Sequence, residues 1–218
     1  MIGAMQLTKY THSCVRLDDG DRALVIDPGM FSETTLALAQ AHAVLITHEH
    51  ADHIDAPALI QAAKANSALR IWAPAPVAQS LAELGDQVTA VGADESFDAA
   101  GFAITTYGGL HALIHPLVAA PVANVCYLVN GSVFHPGDSF TVPPVPVETL
   151  LLPINAPWSK IGEVIDFAAA VRAPRAFQIH DALLNDRGSG LVDSLVGRVG
   201  ALYGTAYKRL AAMQTVDV

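Results

Sequence analysis

Short apolar runs rich in β-branched residues alternate along the chain with longer segments in which apolar residues recur at helical spacing. The run 43–46 (Ala-Val-Leu-Ile) is bounded by polar residues, which predicts a short buried strand. Leu191, Leu195 and Val199 recur every four residues and predict a helix. Asp55 precedes an Ala-Pro pair, which is typical of a helix with an aspartate N-cap and a proline in its first turn.

The order of the predicted elements indicates an α/β (α+β) protein whose second half is rich in strands. Strands are expected near residues 5–9, 13–17, 23–27, 43–47, 69–73, 102–107, 124–130, 132–135, 148–152 and 175–179. Helices are expected near residues 32–40, 56–65, 76–84, 159–172 and 189–202. No linker rich in Pro, Gly or Ser divides the 218 residues, and 52% of them are hydrophobic, so we expect a single domain over 1–218 with a large core.

The most informative polar segment is 47–53, Thr-His-Glu-His-Ala-Asp-His, which directly follows a predicted strand. Side chains at a strand end are held by the sheet and face a cleft. Neutral imidazoles and carboxylates are the ligands of zinc and related divalent ions. His48 and His50 lie two apart on extended backbone and point the same way, so they can share one ion. Asp52 and His53 follow the turn and are better placed to reach a second ion, so the segment predicts a metal site rather than a solvated loop.

An HxHxDH pattern after a hydrophobic strand resembles the metallo-β-lactamase superfamily, and further segments are similar to its other motifs. Asp27, in Ile-Asp-Pro-Gly, resembles an aspartate that braces the metal loop. Asp138, in His-Pro-Gly-Asp-Ser, resembles an aspartate that bridges two metals. His180, in Ile-His-Asp, resembles the last histidine ligand. The resemblance covers most of the chain and implies a four-layer αββα sandwich.

The segment 11–15 (Thr-His-Ser-Cys-Val) and the compact length are similar to one branch of this superfamily. That branch contains ascorbate-6-phosphate lactonase and N-acyl phosphatidylethanolamine phospholipase D. His12 resembles a branch histidine that lies close to the metals, although any histidine at a strand end would have the same sequence signature. We therefore keep His12 as a candidate catalytic residue.

The third ligand of the first ion should follow a strand that lies between the histidine motif and Asp138. Residues 102–107 form such a predicted strand, and the glycines after it let the backbone turn towards the cluster. His111 is preferred to His115 as this ligand. His115 is a candidate for orienting a ligand, touching substrate or donating a proton, and an ordinary loop histidine fits its sequence equally well. The expected ligands are His48, His50, His111 and bridging Asp138 for one ion, and Asp52, His53, His180 and the same Asp138 for the other.

Several neighbouring residues have expected supporting roles. Asp27 and Asp181 can accept the second N–H group of a ligating imidazole. His135 is expected to be structural. Trp158 follows a predicted strand and could line a pocket, but packing beneath helix 159–172 is the preferred interpretation.

The remaining composition restricts the function class. A formal charge of −9 without a cluster of Lys or Arg disfavours nucleic-acid binding and nuclease activity. Cys14 and Cys126 are far apart and outside any CxxC pair, so we expect two buried thiols. No apolar run is long enough for a membrane span, and residues 1–5 lack the features of a signal peptide, so we expect a cytoplasmic protein. The composition also permits a homo-oligomer.

These observations predict a metal-dependent hydrolase that acts on a small molecule. The resemblance implies two divalent ions, with zinc expected first and manganese or iron also accepted by such ligands. A metal-bound hydroxide would attack a lactone, ester or phosphodiester bond. Asp52 and Asp138 would hold the ions, and His12 or His115 would protonate the leaving group.

Two other classes stay open. Flavodiiron redox proteins share the fold, but their motif has a glutamate at the position of His50, and we expect no flavin-binding domain to follow. A non-catalytic metal-binding or partner-binding protein is the second alternative. Degenerate members of the superfamily would be expected to lose ligands, whereas every ligand position is occupied in this chain.

Overall fold

The computed structural model describes residues 5–118 and 120–218. Its strands are β1 (Gln6–Lys9), β2 (Val15–Asp19), β3 (Arg22–Ile26), β4 (Ala43–Leu45), β5 (Arg70–Ala73), β6 (Val88–Ala90), β7 (Ser96–Ala99), β8 (Phe102–Leu110), β9 (Ala123–Val129), β10 (Val133–His135), β11 (Thr149–Pro153), β12 (Arg175–Ile179), β13 (Ala206–Lys208) and β14 (Gln214–Asp217). Its helices are α1 (Thr34–Ala37), α2 (Ala56–Ala65), α3 (Ala75–Ser80), α4 (Ile161–Val171) and α5 (Asp186–Leu202), with a 3-10 segment at Ala82–Gln87.

Within these residues the strands form two seven-stranded sheets. The first has the order β14-β1-β2-β3-β4-β5-β6 and the second the order β13-β12-β11-β10-β9-β8-β7. In the first sheet, β3 to β6 are parallel, and in the second, β10 to β13 are parallel. The remaining neighbours are antiparallel.

Alternating side chains of the central strands build separate apolar layers on the two faces of each sheet. Leu24 and Ile26 pack into the core between the sheets, whereas Val25 packs against α2 and α3. In β9, Tyr127 faces the inter-sheet core, and Leu128 faces α4 and α5. Because both faces of these strands are covered, their sequences are nearly continuous apolar runs. The layers confirm the expected αββα sandwich.

The predicted elements agree with the structure in the centre of each sheet and fail at its edges. The strands that the sequence pattern missed, β6, β7, β13 and β14, are the four outermost strands of the two sheets. They are short and partly exposed, so they carry no hydrophobic run. Helix α1 is also shorter than expected, whereas α5 begins earlier, where the Asn185 side chain accepts a hydrogen bond from the Gly188 amide.

Other expectations concern single residues. The Asp55 side chain accepts a hydrogen bond from the Ala58 amide at 3.1 Å, which confirms the expected N-cap of α2. Cys14 and Cys126 are free and buried, as expected. None of the helices in the described ranges has the length and hydropathy that crossing a membrane requires.

Candidate metal centre

The polar residues singled out in the sequence follow the ends of strands that point in the same direction. Asp27 follows β3, the segment 47–53 follows β4, His111 follows β8, Asp138 follows β10 and His180 follows β12. Parallel strands place their carboxyl ends at one edge of a sheet, where α/β proteins form ligand sites. The two sheets therefore bring these residues together at one rim of the sandwich.

The strand ends turn sharply to bring their side chains together. Asp27 and His180 have φ angles of 51° and 58°, which non-glycine residues adopt rarely. At Gly29 a Cβ atom would lie 1.9 Å from the carbonyl oxygen of Asp52, so only glycine fits there. The chain after β3 is therefore in direct contact with the loop that carries the histidine motif.

Eight side chains form two groups whose possible ligand atoms all lie within 4.8 Å of one another inside each group. The His48 group consists of His48, His50, His111 and Asp138. The His12 group consists of His12, Asp52, His53 and His180. The structure thus brings together every metal ligand predicted from the sequence, and it places His12 beside them.

Asp138 lies between the two groups. Its Oδ2 atom is 3.2 Å from Nε2 of His111 and 3.0 Å from Nε2 of His180, and its Oδ1 atom is 3.0 Å from Nε2 of His53. His111 belongs to one group and His53 and His180 belong to the other. A carboxylate in this place can contact ions held by both groups, which is the geometry that a bridging ligand needs.

The donor atoms that converge here lack hydrogen-bond partners. Among the described residues, the buried Nε2 atoms of His48, His53, His111 and His180 and the Oδ1 atom of Asp138 have no partner in hydrogen-bonding geometry. Leaving a buried polar atom unpaired costs about 1–3 kcal/mol. Coordination to divalent ions would satisfy all five atoms, so the donor set fits such ions.

The second ring nitrogen of His53, Nδ1, is hydrogen-bonded to a buried carboxylate. Its Nδ1 atom donates to Oδ2 of Asp27 at 2.7 Å. Asp27 also accepts hydrogen bonds from the Thr47 amide at 2.8 Å and from the Thr47 hydroxyl at 2.7 Å. Asp27 therefore orients His53 as expected, with Nε2 directed at the cluster.

The other three imidazoles in this set use oxygen acceptors that carry no charge. Nδ1 of His48 lies 3.0 Å from the hydroxyl of Thr47, and Nδ1 of His111 donates to the carbonyl of Ala112. Nδ1 of His180 donates to the carbonyl oxygen of Asn155 at 2.6 Å. Each contact leaves Nε2 facing the cluster.

Asp181 does not have the expected role. Its carboxylate accepts from Lys9 at 3.4 Å, from Gln178 at 3.2 Å and from Arg209 at 3.1 Å, and it contacts no imidazole of the site. The backbone carbonyl of Asn155, rather than the carboxylate of Asp181, accepts the hydrogen bond from Nδ1 of His180. A backbone acceptor on another strand end leaves no signal in the sequence, which explains the error.

Neighbouring charges and burial shift the pKa values of three candidate ligands. Burial opposes ionisation of Asp138, but His53, His111 and His180 outweigh it and hold the pKa of Asp138 well below its usual range. Burial and the nearby His53 lower the pKa of His48 well below its usual value, which leaves that imidazole neutral. For His53, Asp138 and Asp27 outweigh burial and raise the pKa well above its usual value. An ion that binds His53 therefore displaces a proton.

His12 contacts the site through Asp52. It is fully buried, and its Nδ1 atom accepts a hydrogen bond from the Ala182 amide at 3.3 Å, so the proton lies on Nε2. Nε2 is 3.1 Å from Oδ2 of Asp52 and donates to it. Burial opposes ionisation of Asp52, but this hydrogen bond together with the nearby His53 and His180 outweighs burial and lowers the pKa of Asp52 to about 2. The contact keeps Asp52 ionised and oriented.

Trp158 is a site residue for which the sequence left pocket lining as the less favoured alternative. Its indole N–H donates to Oδ2 of Asp138 at 2.8 Å, and its ring packs edge-on against Phe140 and lines the cavity above the cluster. The preferred expectation, packing beneath the following helix, was wrong. The loop after β11 brings the ring to the strand ends, and only its location after a predicted strand could have indicated this.

The remaining histidines lie outside the ligand groups. His115 is exposed, and its Nδ1 atom accepts from the Leu117 amide at 3.1 Å, so the structure does not bring it to the cluster. His135 is buried, as expected for a structural residue, and its Nε2 atom donates to the Ser13 carbonyl at 3.0 Å.

A cavity of about 390 Å³ opens directly above the cluster. Its floor contains residues of both ligand groups: His50, Asp52, His111, Asp138 and His180. Its walls are Met30, Phe31, Ala51, Ile114, Pro157, Trp158 and Leu183. A small molecule in this cavity would contact the candidate metal centre directly.

Known proteins resemble the chain in both sequence and fold. Protein Rv0786c of Mycobacterium tuberculosis is 35% identical over 218 residues, covering 98% of this chain and 94% of that protein. The structure of Igni18, a metallo hydrolase from Ignicoccus hospitalis, superposes with a TM-score of 0.75 at 18% identity and 98% coverage of both chains. CmlA, a diiron beta-hydroxylase from Streptomyces venezuelae, gives a TM-score of 0.71 at 16% identity, covering 100% of this chain and 55% of CmlA.

At these identities the two structures show a shared fold only. Residues 6–180, which contain both ligand groups, match the family described as Beta-lactamase superfamily domain. This match confirms the superfamily resemblance, whereas the branch within the superfamily stays a prediction. The chain belongs to the Beta-lactamase superfamily domain family.

Proposed function

We propose that this protein is a hydrolase that uses two divalent metal ions to cleave an ester, lactone or phosphodiester bond in a small molecule. The observation that carries the proposal is the set of four unpaired imidazole nitrogens around Asp138, at the floor of an open cavity. One ion would be held by His48, His50 and His111 and the other by Asp52, His53 and His180, and Asp138 would contact both. Bound at these groups, such ions would lower the pKa of a water molecule and polarise the bond under attack.

The chain's own residues orient this centre. Asp27 holds the ring of His53, and His12 holds the carboxylate of Asp52. The indole N–H of Trp158 occupies one lone pair of Oδ2 of Asp138 and fixes the plane of that carboxylate. Fixed ligands are important because hydrolysis depends on groups that need no rearrangement as charge develops.

The structure gives different contacts to His12 and His115, the two residues considered as proton donors to the leaving group. Nε2–H of His12 is bound to Asp52, and His12 is absent from the cavity lining, so we assign it a positioning role rather than protonation of the leaving group. His115 stays a prediction as a proton donor, with its side chain exposed on the loop after β8.

Metal content and activity measured together test the proposal. Protein purified without chelator should contain about two equivalents of divalent metal per chain, with zinc expected first and manganese or iron as alternatives. Hydrolysis of p-nitrophenyl acetate, γ-butyrolactone or bis(p-nitrophenyl) phosphate should disappear after dialysis against a chelator and return with added metal.

Other outcomes identify the alternatives. A protein that stays metal-free after reconstitution would overturn the proposal and favour a binding function. Two irons with oxygen consumption and no hydrolysis would favour redox chemistry, which is the activity named for CmlA. The ligand groups contain imidazoles and aspartates and no glutamate, which supports hydrolysis over that alternative.

A further inference from the structure

The walls of the cavity are apolar, although its floor is made of ionisable residues. Met30 and Phe31 come from the loop after β3, Ile114 from the loop after β8 and Leu183 from the loop after β12. Met30 is 63% exposed and Leu183 is 58% exposed. Four loops, including the one with Trp158, thus direct apolar side chains at the same opening. A continuous apolar lining at a cavity is a sign of a ligand with apolar surface.

The walls offer no charged partner for a phosphate. Among the described residues that line the cavity, none is Lys or Arg. The indole N–H of Trp158 already donates to Asp138. Phosphate oxygens that face such a wall would lose water without gaining hydrogen bonds, which is unfavourable. The wall therefore favours a neutral substrate over a phosphorylated one.

The size of the cavity limits how much of an alkyl chain it can bury. A volume of about 390 Å³ holds roughly a dozen water-sized groups at about 30 Å³ each. An ester or lactone group at the floor takes about four of these, which leaves room for an alkyl chain of roughly six to eight carbons. A longer chain would extend past the rim into water.

We propose that the substrate is an uncharged acyl compound, an ester or lactone, whose medium-length alkyl chain lies against Phe31, Ile114 and Leu183. This inference rests on the proposed hydrolase function and narrows it. Water adds to the acyl carbon, the acyl carbon–oxygen bond breaks, and the leaving oxygen takes a proton. One ester and one water give one carboxylic acid and one alcohol, or a lactone and water give one hydroxy acid.

A chain-length series on the protein as purified tests the inference. The substrates are p-nitrophenyl esters from acetate to dodecanoate, with bis(p-nitrophenyl) phosphate for comparison. We expect kcat/KM to rise about three- to fourfold for each buried methylene up to about octanoate, and then to level off. A flat series, or a higher kcat/KM for the phosphodiester than for every ester, would overturn the inference.

Two matched variants locate the alkyl chain. Leu183→Arg introduces a cation into the wall, and we expect the octanoate-to-acetate ratio of kcat/KM to fall about tenfold. Leu191→Arg makes the same change on α5 at a residue that is 63% exposed and outside the cavity lining, and it should leave the ratio unchanged. If Leu183→Arg does not fold, Leu183→Ser makes the same test. Equal octanoate-to-acetate ratios of kcat/KM in all variants would contradict the proposal that the alkyl chain lies against this wall.

Binding of carboxylates separates failure of this inference from failure of the proposed function. Titration calorimetry with octanoate, butyrate, acetate and inorganic phosphate requires no turnover. Tighter binding of octanoate than of acetate, by about 30-fold or more, would support the apolar wall even in a protein that hydrolyses none of the esters. Octanoate binding no tighter than acetate, or tighter binding of phosphate, would overturn the inference even in an active, metal-loaded hydrolase.

Discussion

The two ligand groups are held in place by contacts of different range. In the His48 group, His48 and His111 are anchored by the neighbouring residues Thr47 and Ala112. In the His12 group, His53 binds Asp27, which is 26 positions away, and His12 accepts from an amide 170 positions away. Sequence neighbours therefore anchor these two imidazoles of the His48 group, whereas strand ends that meet only in the folded protein anchor the His12 group.

This difference has a consequence for metal binding. Local anchors keep their geometry as long as one loop holds its shape, while the anchors of the His12 group depend on several elements at once. His53 is also bound to a buried carboxylate, which fixes its ring more firmly than a neutral acceptor would. We expect changes at distant residues to affect the His12 group selectively. The following predictions test this comparison, beginning with the largest effect.

Asp138→Ala should damage both groups, because Asp138 is the residue that contacts them both. We expect kcat/KM to fall by about a thousandfold or more and the metal content to drop below two equivalents. Metal analysis and kinetics on one preparation measure both effects. The control is Asp86→Ala, which changes an exposed aspartate and should alter neither quantity. Full activity in Asp138→Ala would show that Asp138 is not a ligand of the metal centre.

Gly29→Ala should damage the His12 group through the backbone. The added Cβ would lie 1.9 Å from the carbonyl oxygen of Asp52, so the loop that carries Asp52 and His53 must move. We expect the free energy of unfolding to fall by about 3 kcal/mol. Gly162→Ala, on α4 with nothing within 4 Å of its Cβ, should leave stability equal or slightly higher. Urea denaturation measures both, and equal stabilities would contradict the close approach.

Asp27→Asn should weaken one ion and spare the other. Asparagine keeps the shape and tolerates the left-handed backbone at this position, but it removes the charge that orients His53. We expect the affinity for one metal equivalent to fall about 10- to 100-fold. Chelator competition on the variant and on the unaltered protein measures this loss, and it should affect one of the two metal equivalents.

The matched control is Asp181→Asn. Sequence reasoning gave Asp181 the same role as Asp27, but its carboxylate contacts Lys9 and Arg209 instead of an imidazole. Metal affinity should therefore be unchanged. Equal losses in both variants would mean that general electrostatics, rather than the contact with His53, holds the second ion.

Trp158→Phe should have the smallest effect, because it removes one hydrogen bond to the shared Asp138 and keeps most of the ring. A hydrogen bond to a charged group contributes about 1.5–3 kcal/mol, and Trp158 is only partly buried, so the low end of that range applies and we expect kcat/KM to fall about tenfold while the metal content is retained. Trp72→Phe, in β5 and stacked on Phe97, is the control and should leave kcat/KM unchanged. Loss of metal in Trp158→Phe would indicate a structural role instead.

The sequence was sufficient for the centre of each sheet and insufficient for the edges. Central strands such as β3 and β11 are buried on both faces, so their apolar runs are visible in the sequence. Edge strands such as β6 and β14 pair on one side only and carry exposed side chains. Their pairing is decided by the neighbouring strand, which no local pattern records.

The candidate site divides in the same way. Ligand types and their spacing after strands are local properties, so His48, His50 and Asp52 could be identified from one short segment. The anchors could not, because Asn155 supplies a backbone carbonyl and Trp158 reaches Asp138 from a loop on another strand.

The sequence by itself indicated an α/β protein and the candidate metal ligands, since hydrophobic periodicity and ligand chemistry are written in consecutive residues, and its resemblance to a known superfamily implied the αββα sandwich. The tertiary structure decided which carbonyl or carboxylate orients each candidate ligand, and that the cavity wall is apolar. Those properties depend on strand ends that are distant in sequence and adjacent in space. Their contact is a result of packing two sheets together, and no single segment of the chain contains it.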